Sequence, residues 1–143
     1  MRDILFRAKR ADGGGWEYGL YAEFVEPAHG KSIYGIAEKR SRHYYEIDPS
    51  TLGEYTGVQD AGKRRIFEGD IVIYHAPLNP WIDDIDNEAV GEIAYFGGAF
   101  YAKIKRSALT ANQYLVNHFF GAHGCTLEII GNIHDNPELL RRE

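Results

Sequence analysis

The sequence predicts an all-β protein, and three observations carry that prediction. Tyr and Phe are abundant, with 10 and 7 residues among 143, and aromatic side chains favour pleated, half-buried surfaces. The 16 glycines supply the tight turns that many short strands require. Two pairs of apolar-alternating runs are each joined by a glycine turn. We therefore expect an N-terminal β-hairpin unit packed on a small C-terminal β unit.

The first 25 residues predict a β-hairpin. In RDILFRAKR, Ile4, Phe6 and Ala8 alternate with charged or exposed positions. The segment ADGGG supplies residues that tolerate positive φ in a tight turn. Apolar residues then recur at every second position through WEYGLYAEF. This spacing predicts a strand, because a helix would distribute the same residues around its circumference. One face of this second strand therefore carries Trp16, Tyr18, Leu20, Ala22 and Phe24.

Residues 31–74 predict further short strands. KSIYGI and HYYEI are two of them, separated by the charged segment 38–42, and DPS at 48–50 is a turn before the short strand TLGEYT. The segment VQDAGKR then predicts a turn and RIFEGDIVIY a long strand, in which Gly69 indicates a bulge.

The rest of the chain predicts a polar loop, a second hairpin and one helix. AVGEIAYF and AFYAKIKR flank Gly97-Gly98 as hairpin strands, after the loop 75–88. TANQYLVNHFFG has helical spacing, with Thr110 and Gly121 as its caps. CTLEIIGNI predicts the last strand, after which Asn136 is expected to cap a terminal helical turn that Pro137 begins.

Composition limits the class of protein. The formal net charge of -5 disfavours a dedicated nucleic-acid binder, because phosphate contacts usually come from a net basic surface. Cys125 is the single cysteine, which excludes an internal disulfide and favours a reducing compartment. The N-terminus lacks the apolar core of a signal peptide, and no run approaches the roughly 20 apolar residues of a spanning helix. A soluble cytoplasmic protein is expected.

Three blocks of the chain, RDILFRAKRADGGGWEYGLY, GEYTGVQDAGKRRIFEGDIV and EIIGNIHDNPELL, resemble the YopX-like family of bacteriophage and prophage proteins. The resemblance implies an SH3-like barrel in the C-terminal half, with units at 1–62 and 63–143. It implies no catalytic residues or cofactor, because the family has no established activity. The turn in EYTGVQDAGKRRIFEGDIVIY is then a structural junction, which Thr56, Gly57, Asp60 and Gly62 shape and on which residues 63–65 are exposed.

Catalytic and metal-binding interpretations are weaker than structural ones. His123 and Cys125 share a face if HGCTLE is a strand, but a buried small hydrophobe beside a turn histidine is the commoner arrangement. A metal site drawn from His118, His123, Cys125 and His134 has no zinc-like spacing. The acidic run Asp83, Asp84, Asp86, Glu88 lacks the glycine and distal Glu of a calcium loop. We expect no enzyme activity, metal or cofactor.

Two binding hypotheses from different classes stay open. We expect a non-catalytic phage or prophage accessory protein that binds a host or phage protein, with Trp81 in loop 75–88 as a contact residue and self-association also allowed. The alternative is a nucleic-acid-binding module that uses Tyr101, Lys103 and Lys105 on one strand face. Outward charges on half-exposed strands also serve solubility alone.

Overall fold

The structure, a computed structural model, describes residues 3–41, 43–75, 88–106, 113–115 and 126–141. The fold is all-β, as predicted, and its strands form two antiparallel sheets. The hydrogen-bonded orders are β4-β3-β2-β1-β5-β6 and β10-β9-β8-β7-β11. The strands are β1 Phe6–Lys9, β2 Trp16–Val25, β3 Ser32–Ala37, β4 Tyr44–Glu46, β5 Gly53–Gln59, β6 Arg65–Phe67, β7 Asp70–His75, β8 Glu88–Phe96, β9 Ala99–Arg106, β10 Gln113–Leu115 and β11 Thr126–Asn132.

The chain divides into two compact units, Met1–Tyr55 and Thr56–Glu143, so the boundary falls within β5. The boundary expected from the sequence, between Gly62 and Lys63, lies further along, in the turn that follows β5. Within the described ranges, no helix has the length and apolar character needed to cross a membrane.

The N-terminal unit is built on the predicted first hairpin. β1 pairs with β2, β2 with β3 and β3 with β4, each antiparallel, and β1 also pairs with β5. An isolated bridge joins Arg10 to Ile47, beyond the end of β4. One side of this sheet forms a small core of Ala8, Ile36 and Ile47. Partly buried side chains pack against that core: Phe6, Tyr21, Tyr34 and Leu52.

The C-terminal unit has β7 between β8 and β11, and the predicted second hairpin, β8–β9, extends it. The core side chains of this unit are almost completely buried, as the continuous apolar run IVIY of β7 leads one to expect. The core consists of Ile66, Val72, Tyr74, Ile93, Phe100, Ala102 and Leu127, with Val58 and Ile129 packed against it.

Three details differ from the sequence prediction. RIFEGDIVIY is two strands, because Glu68 and Gly69 form a turn in which Gly69 has a φ of 90°. Gln113–Leu115, inside the predicted helix, form β10 and pair with β9, so local helical spacing yields to a partner strand. The rest of that segment lies outside the described residues. Neither sheet closes into a barrel in the part of the chain that the structure describes.

The predicted turns near Pro49 and Pro137 are both present as 3-10 turns. The first spans Pro49–Thr51, where the Asp48 carboxylate accepts the Ser50 backbone N–H at 3.0 Å. The second spans Pro137–Leu140. Asn136 precedes it without capping it, because its side-chain oxygen accepts the Asn132 N–H instead, at 3.3 Å.

Candidate functional site

The main candidate surface is the apolar side of β2, which the register of the N-terminal sheet defines. Residues directly opposite each other in an antiparallel pair share a face. Trp16 and Tyr18 of β2 lie opposite Lys9 and Arg7 of β1, and Leu20 lies in one row with Ala37 and Tyr44. We call Trp16, Tyr18, Leu20, Phe24 and Tyr44 the aromatic face.

This face points away from the core of its unit. Tyr18, Leu20, Phe24 and Tyr44 are 49%, 47%, 37% and 49% exposed. The core residues Ala8 and Ile36 lie on the opposite side, because they face Glu17 and Tyr21 of β2. The sequence correctly predicted which β2 residues share a face. Alternation does not identify which face is buried, so the exposure of these side chains was missed.

The aromatic rings on this face are held in place by contacts within the sheet. The Phe24 and Tyr44 rings meet edge-to-face, with centroids 5.2 Å apart and an interplanar angle of 89°. Tyr44 packs over Gly35, where a Cβ would lie 3.0 Å from the ring carbon Cδ2. Because Gly35 has no side chain, the Tyr44 ring can rest against the backbone of β3.

Few charges share the aromatic face. The Arg7 guanidinium carbon lies 4.8 Å from the Trp16 ring centroid and the Lys9 ammonium 5.6 Å from it, both within cation–π range. Glu46 lies on the same face, in one row with Gly35 and Ala22. Arg7 is itself buried. Lys9 and Glu46 therefore leave the accessible part of this face close to neutral, which suits an uncharged protein surface better than a polyanion.

The predicted nucleic-acid site is only partly described. Tyr101 and Lys103 share a face of β9, as the alternation requires. The Tyr101 ring stacks on Phe96 with centroids 4.3 Å apart, and Lys103 lies directly opposite Glu92 of β8. Lys105 belongs to β9, but its side chain lies outside the described residues. An acidic neighbour beside Lys103 weakens the attraction of this face for phosphate.

Most other candidate residues fall outside the described ranges. This applies to Trp81 and most of loop 75–88, to Asp83, Asp84 and Asp86, to the side chain of Glu88, and to His118, His123 and Cys125. His134 is described and lies in the turn after β11, where its N–H donates to Asn132 Oδ1 at 3.0 Å. Where side chains are described, no group of three His, Cys, Asp or Glu residues is arranged to hold a metal ion.

The turn between β5 and β6 is organised by the buried carboxylate of Asp60. Asp60 Oδ1 accepts the backbone N–H groups of Gly62 and Arg64, at 2.9 and 2.8 Å. Asp60 Oδ2 accepts Arg64 Nε–H at 3.0 Å and the Ile129 backbone N–H at 3.2 Å. These bonds also hold Lys63 at a φ of 64°, in the left-handed region. These bonds order the turn, which the sequence predicted to join the two units and which lies within the unit Thr56–Glu143.

The pKa of Asp60 is set by two opposing effects. Burial raises it, but the N–H groups of Arg64 and Ile129 and the positive charge of Arg64 outweigh burial, and the pKa lies below its ordinary value. A carboxylate that stays ionised keeps all of its acceptor sites for these donors. The charged form of Asp60 therefore stabilises the turn.

The same turn covers the outer edge of β11. The backbone N–H of Ala61 donates to the Leu127 carbonyl at 2.9 Å, and Arg64 Nη2 donates to the Ile129 carbonyl at 2.7 Å. The Ile129 N–H donates to Asp60, as described above. Backbone groups of Leu127 and Ile129 that point away from β7 thus find partners in the turn, much as they would in a neighbouring strand.

These features describe an all-β protein with two compact units. Among the described residues, most of the exposed large hydrophobic side chains lie in the unit Met1–Tyr55. The family model described as YopX protein matches residues 5–141. The chain therefore belongs to the YopX protein family, which confirms the resemblance seen in the sequence.

Two solved structures share the fold. Protein EF1440 from Enterococcus faecalis is 23% identical with a TM-score of 0.52, and the match covers 99% of this chain and 100% of that one. Protein yopX from Bacillus subtilis is 17% identical with a TM-score of 0.55, at the same coverage. A comparison with curated proteins finds no match. At these identities the likeness establishes the fold alone.

Proposed function

We propose that this protein is a non-catalytic binding protein, and that the aromatic face is the surface with which it binds another protein. The observation that supports the proposal is the exposure of Tyr18, Leu20, Phe24 and Tyr44 on one side of one sheet. Aromatic side chains are enriched in the centres of protein interfaces, because they bury a large area at a low cost in conformational entropy.

The size of the aromatic face is consistent with such a role. Aromatic side chains bury about 150–250 Å² each when fully covered, so Tyr18, Phe24 and Tyr44 at their observed exposure offer roughly 270 Å², to which Leu20 adds its exposed part. Apolar patches of about 300–600 Å² are the largest on ordinary monomers and often functional. A standard interface buries about 800 Å² per partner, so the partner also contacts the rim of the face.

The proposal also includes the cellular location and the type of partner that the sequence predicted. The protein serves a phage or prophage in the cytoplasm of a bacterial host cell and binds a host or phage protein. An SH3-like arrangement of the C-terminal unit belongs to the same proposal. It is supported by the order of β7, β8, β9 and β10, with the last strand, β11, returning beside the first.

Nucleic-acid binding through Tyr101, Lys103 and Lys105 is the second candidate. Its support is the shared face of Tyr101 and Lys103 in β9. The pairing of Lys103 with Glu92 and the stacking of Tyr101 on Phe96 make this face less suited to phosphates and bases than a basic groove with free rings. We therefore rank it below protein binding.

A capture experiment with matched variants tests the proposal. The wild-type protein and a Tyr18→Ser/Leu20→Ser/Tyr44→Ser variant are used as bait in lysate of a lysogenic bacterial host. The control is Glu17→Ser/Glu23→Ser, because both residues lie on the opposite face of β2. We expect a protein that the wild type and the control capture and the aromatic-face variant does not. Capture that is equal for all three folded baits would refute the role of this face.

A further inference from the structure

A second feature, independent of the aromatic face, concerns the edge of the C-terminal sheet. β11 is the last strand in the order β10-β9-β8-β7-β11, and β7 is its hydrogen-bonded neighbour within that sheet. An edge strand presents backbone N–H and C=O groups that act as a template for strands of other chains. In this protein the turn Asp60–Arg64 covers that template at Leu127 and Ile129.

The covering contacts come from side chains as well as from the backbone. Ala61 contributes a backbone N–H, but Asp60 and Arg64 reach Ile129 with a carboxylate and a guanidinium. The Asp60 side chain is completely buried, while that of Arg64 is 58% exposed. Because both bonds to Ile129 depend on side chains, substitution of Asp60 frees the Ile129 N–H and substitution of Arg64 frees the Ile129 carbonyl, without removing any residue from the sheet.

We propose that the turn Asp60–Arg64 is an edge guard, which keeps β11 from pairing with a strand of a second copy of this chain. We take a second copy of this chain as the pairing partner, because every copy whose turn no longer covers β11 exposes the same strand edge. Antiparallel pairing of two β11 strands about a two-fold axis also gives a closed dimer. The bulge of β11 between Ile129 and Gly131 limits the length of such a pairing, since bulges interrupt strand ladders.

The guard accounts for the composition of the turn. A plain connection between β5 and β6 needs only residues that favour a turn. Covering β11 additionally needs an acceptor for the Ile129 N–H and a donor for the Ile129 carbonyl, and Asp60 and Arg64 supply these groups. The Asp60–Arg64 ion pair at 3.0 Å orients both side chains toward the same residue of β11.

Size-exclusion chromatography with light scattering, over a wide concentration range, tests the proposal on the full chain. We expect Asp60→Ala to show at least a doubling of mass relative to wild type at high concentration. Circular dichroism shows whether Asp60→Ala folds. If it does not, Arg64→Ala replaces it in the test, because that variant keeps the Asp60 carboxylate. For Arg64→Ala we expect the same change at higher concentration. Hydrogen exchange at the Ile129 amide, which donates to Asp60, is faster in Asp60→Ala at low concentration and slows as the mass increases.

The matched control is Thr56→Val, which weakens the same unit without uncovering β11. Thr56 is buried, and its hydroxyl donates to the Ile66 carbonyl at 2.9 Å and accepts the Val58 N–H at 3.2 Å. We expect Thr56→Val to keep the wild-type mass. If it associates as strongly as Asp60→Ala, general destabilisation is the cause and the edge guard is wrong. A folded Asp60→Ala or Arg64→Ala variant with the wild-type mass at every concentration also overturns the proposal.

Discussion

The Tyr44 ring packs against the backbone of Gly35, with Cδ2 3.0 Å from the position a Cβ would occupy. This contact joins β4 to β3 on the aromatic face, where the ring centroids of Tyr44 and Phe24 lie 5.2 Å apart. The placement of the Tyr44 ring on this surface therefore depends on the absence of a side chain at Gly35. Gly35 is used for close approach, as glycine within a strand often is.

Gly35→Ala should destabilise the protein less than Gly19→Ala. At Gly35 the new methyl group meets a side-chain ring that can shift, and we expect a cost of about 1 kcal/mol. At Gly19 it would collide with the Ala37 carbonyl, which belongs to the backbone of the paired strand β3, and we expect about 3 kcal/mol. Urea unfolding of both variants measures the difference. Equal costs, or the reverse order, would contradict the packing described for these strands.

The two faces of the N-terminal sheet should differ sharply in their contribution to stability. Leu20→Ser alters an exposed side chain, so we expect the free energy of unfolding to change by less than about 0.5 kcal/mol. Ile36→Ala removes a fully buried side chain from the small core and should cost about 3 kcal/mol. Thermal and urea unfolding measure both. A large cost for Leu20→Ser would show that the aromatic face is part of a core.

The strands of this fold were predictable where alternation and turn residues agree. Both hairpins, at Trp16–Val25 with Phe6–Lys9 and at Glu88–Phe96 with Ala99–Arg106, follow from period two on each side of glycine turns. The strand Gln113–Leu115 was not predictable in this way, because its local spacing is helical and its conformation comes from pairing with β9. Tertiary partners decide such short segments.

The structural role of the turn Asp60–Arg64 was predictable only in part. The sequence indicated that Asp60 and Gly62 shape a turn, since both residue types favour one. It did not indicate that the Asp60 carboxylate also binds the backbone of Ile129, which is far away in the chain. The aromatic face was missed for a similar reason. Alternation assigns Tyr18 and Leu20 to one side of β2, but burial of that side depends on the rest of the fold.

Nucleic-acid binding should be weak, because Lys103 faces Glu92 and Tyr101 stacks on Phe96. Fluorescence anisotropy with labelled single-stranded DNA, duplex DNA and RNA across a salt series measures it. We expect no micromolar, salt-sensitive binding, and no change in Lys103→Glu/Lys105→Glu. Tight binding that weakens steeply with salt in the wild type, and is lost in that variant, would favour the nucleic-acid hypothesis over protein binding.

Protein stability should fall in acid through the protonation of Asp60. The pKa of this buried carboxylate lies below its ordinary value in the folded protein, because the N–H groups of Arg64 and Ile129 and the charge of Arg64 outweigh the effect of burial. A lowered folded-state pKa gives stabilisation that is fully present above the pKa of the unfolded chain, about 3.9. It is lost as the pH falls through the folded-state pKa.

Urea unfolding of the wild type and Asp60→Asn across this pH range isolates the contribution of Asp60. At neutral pH we expect Asp60→Asn to cost about 2 kcal/mol, because an amide NH2 group then faces Arg64 Nε–H or the Ile129 N–H. The difference from wild type should shrink as the pH falls toward 2, where the wild-type carboxyl group is also neutral.

Asp12→Asn is the control. Its carboxylate pairs with Arg10 at 2.5 Å but is exposed, so solvent screening should leave a much smaller pH-dependent difference. Parallel curves for the wild type and Asp60→Asn would mean that the charge of Asp60 does not stabilise the turn.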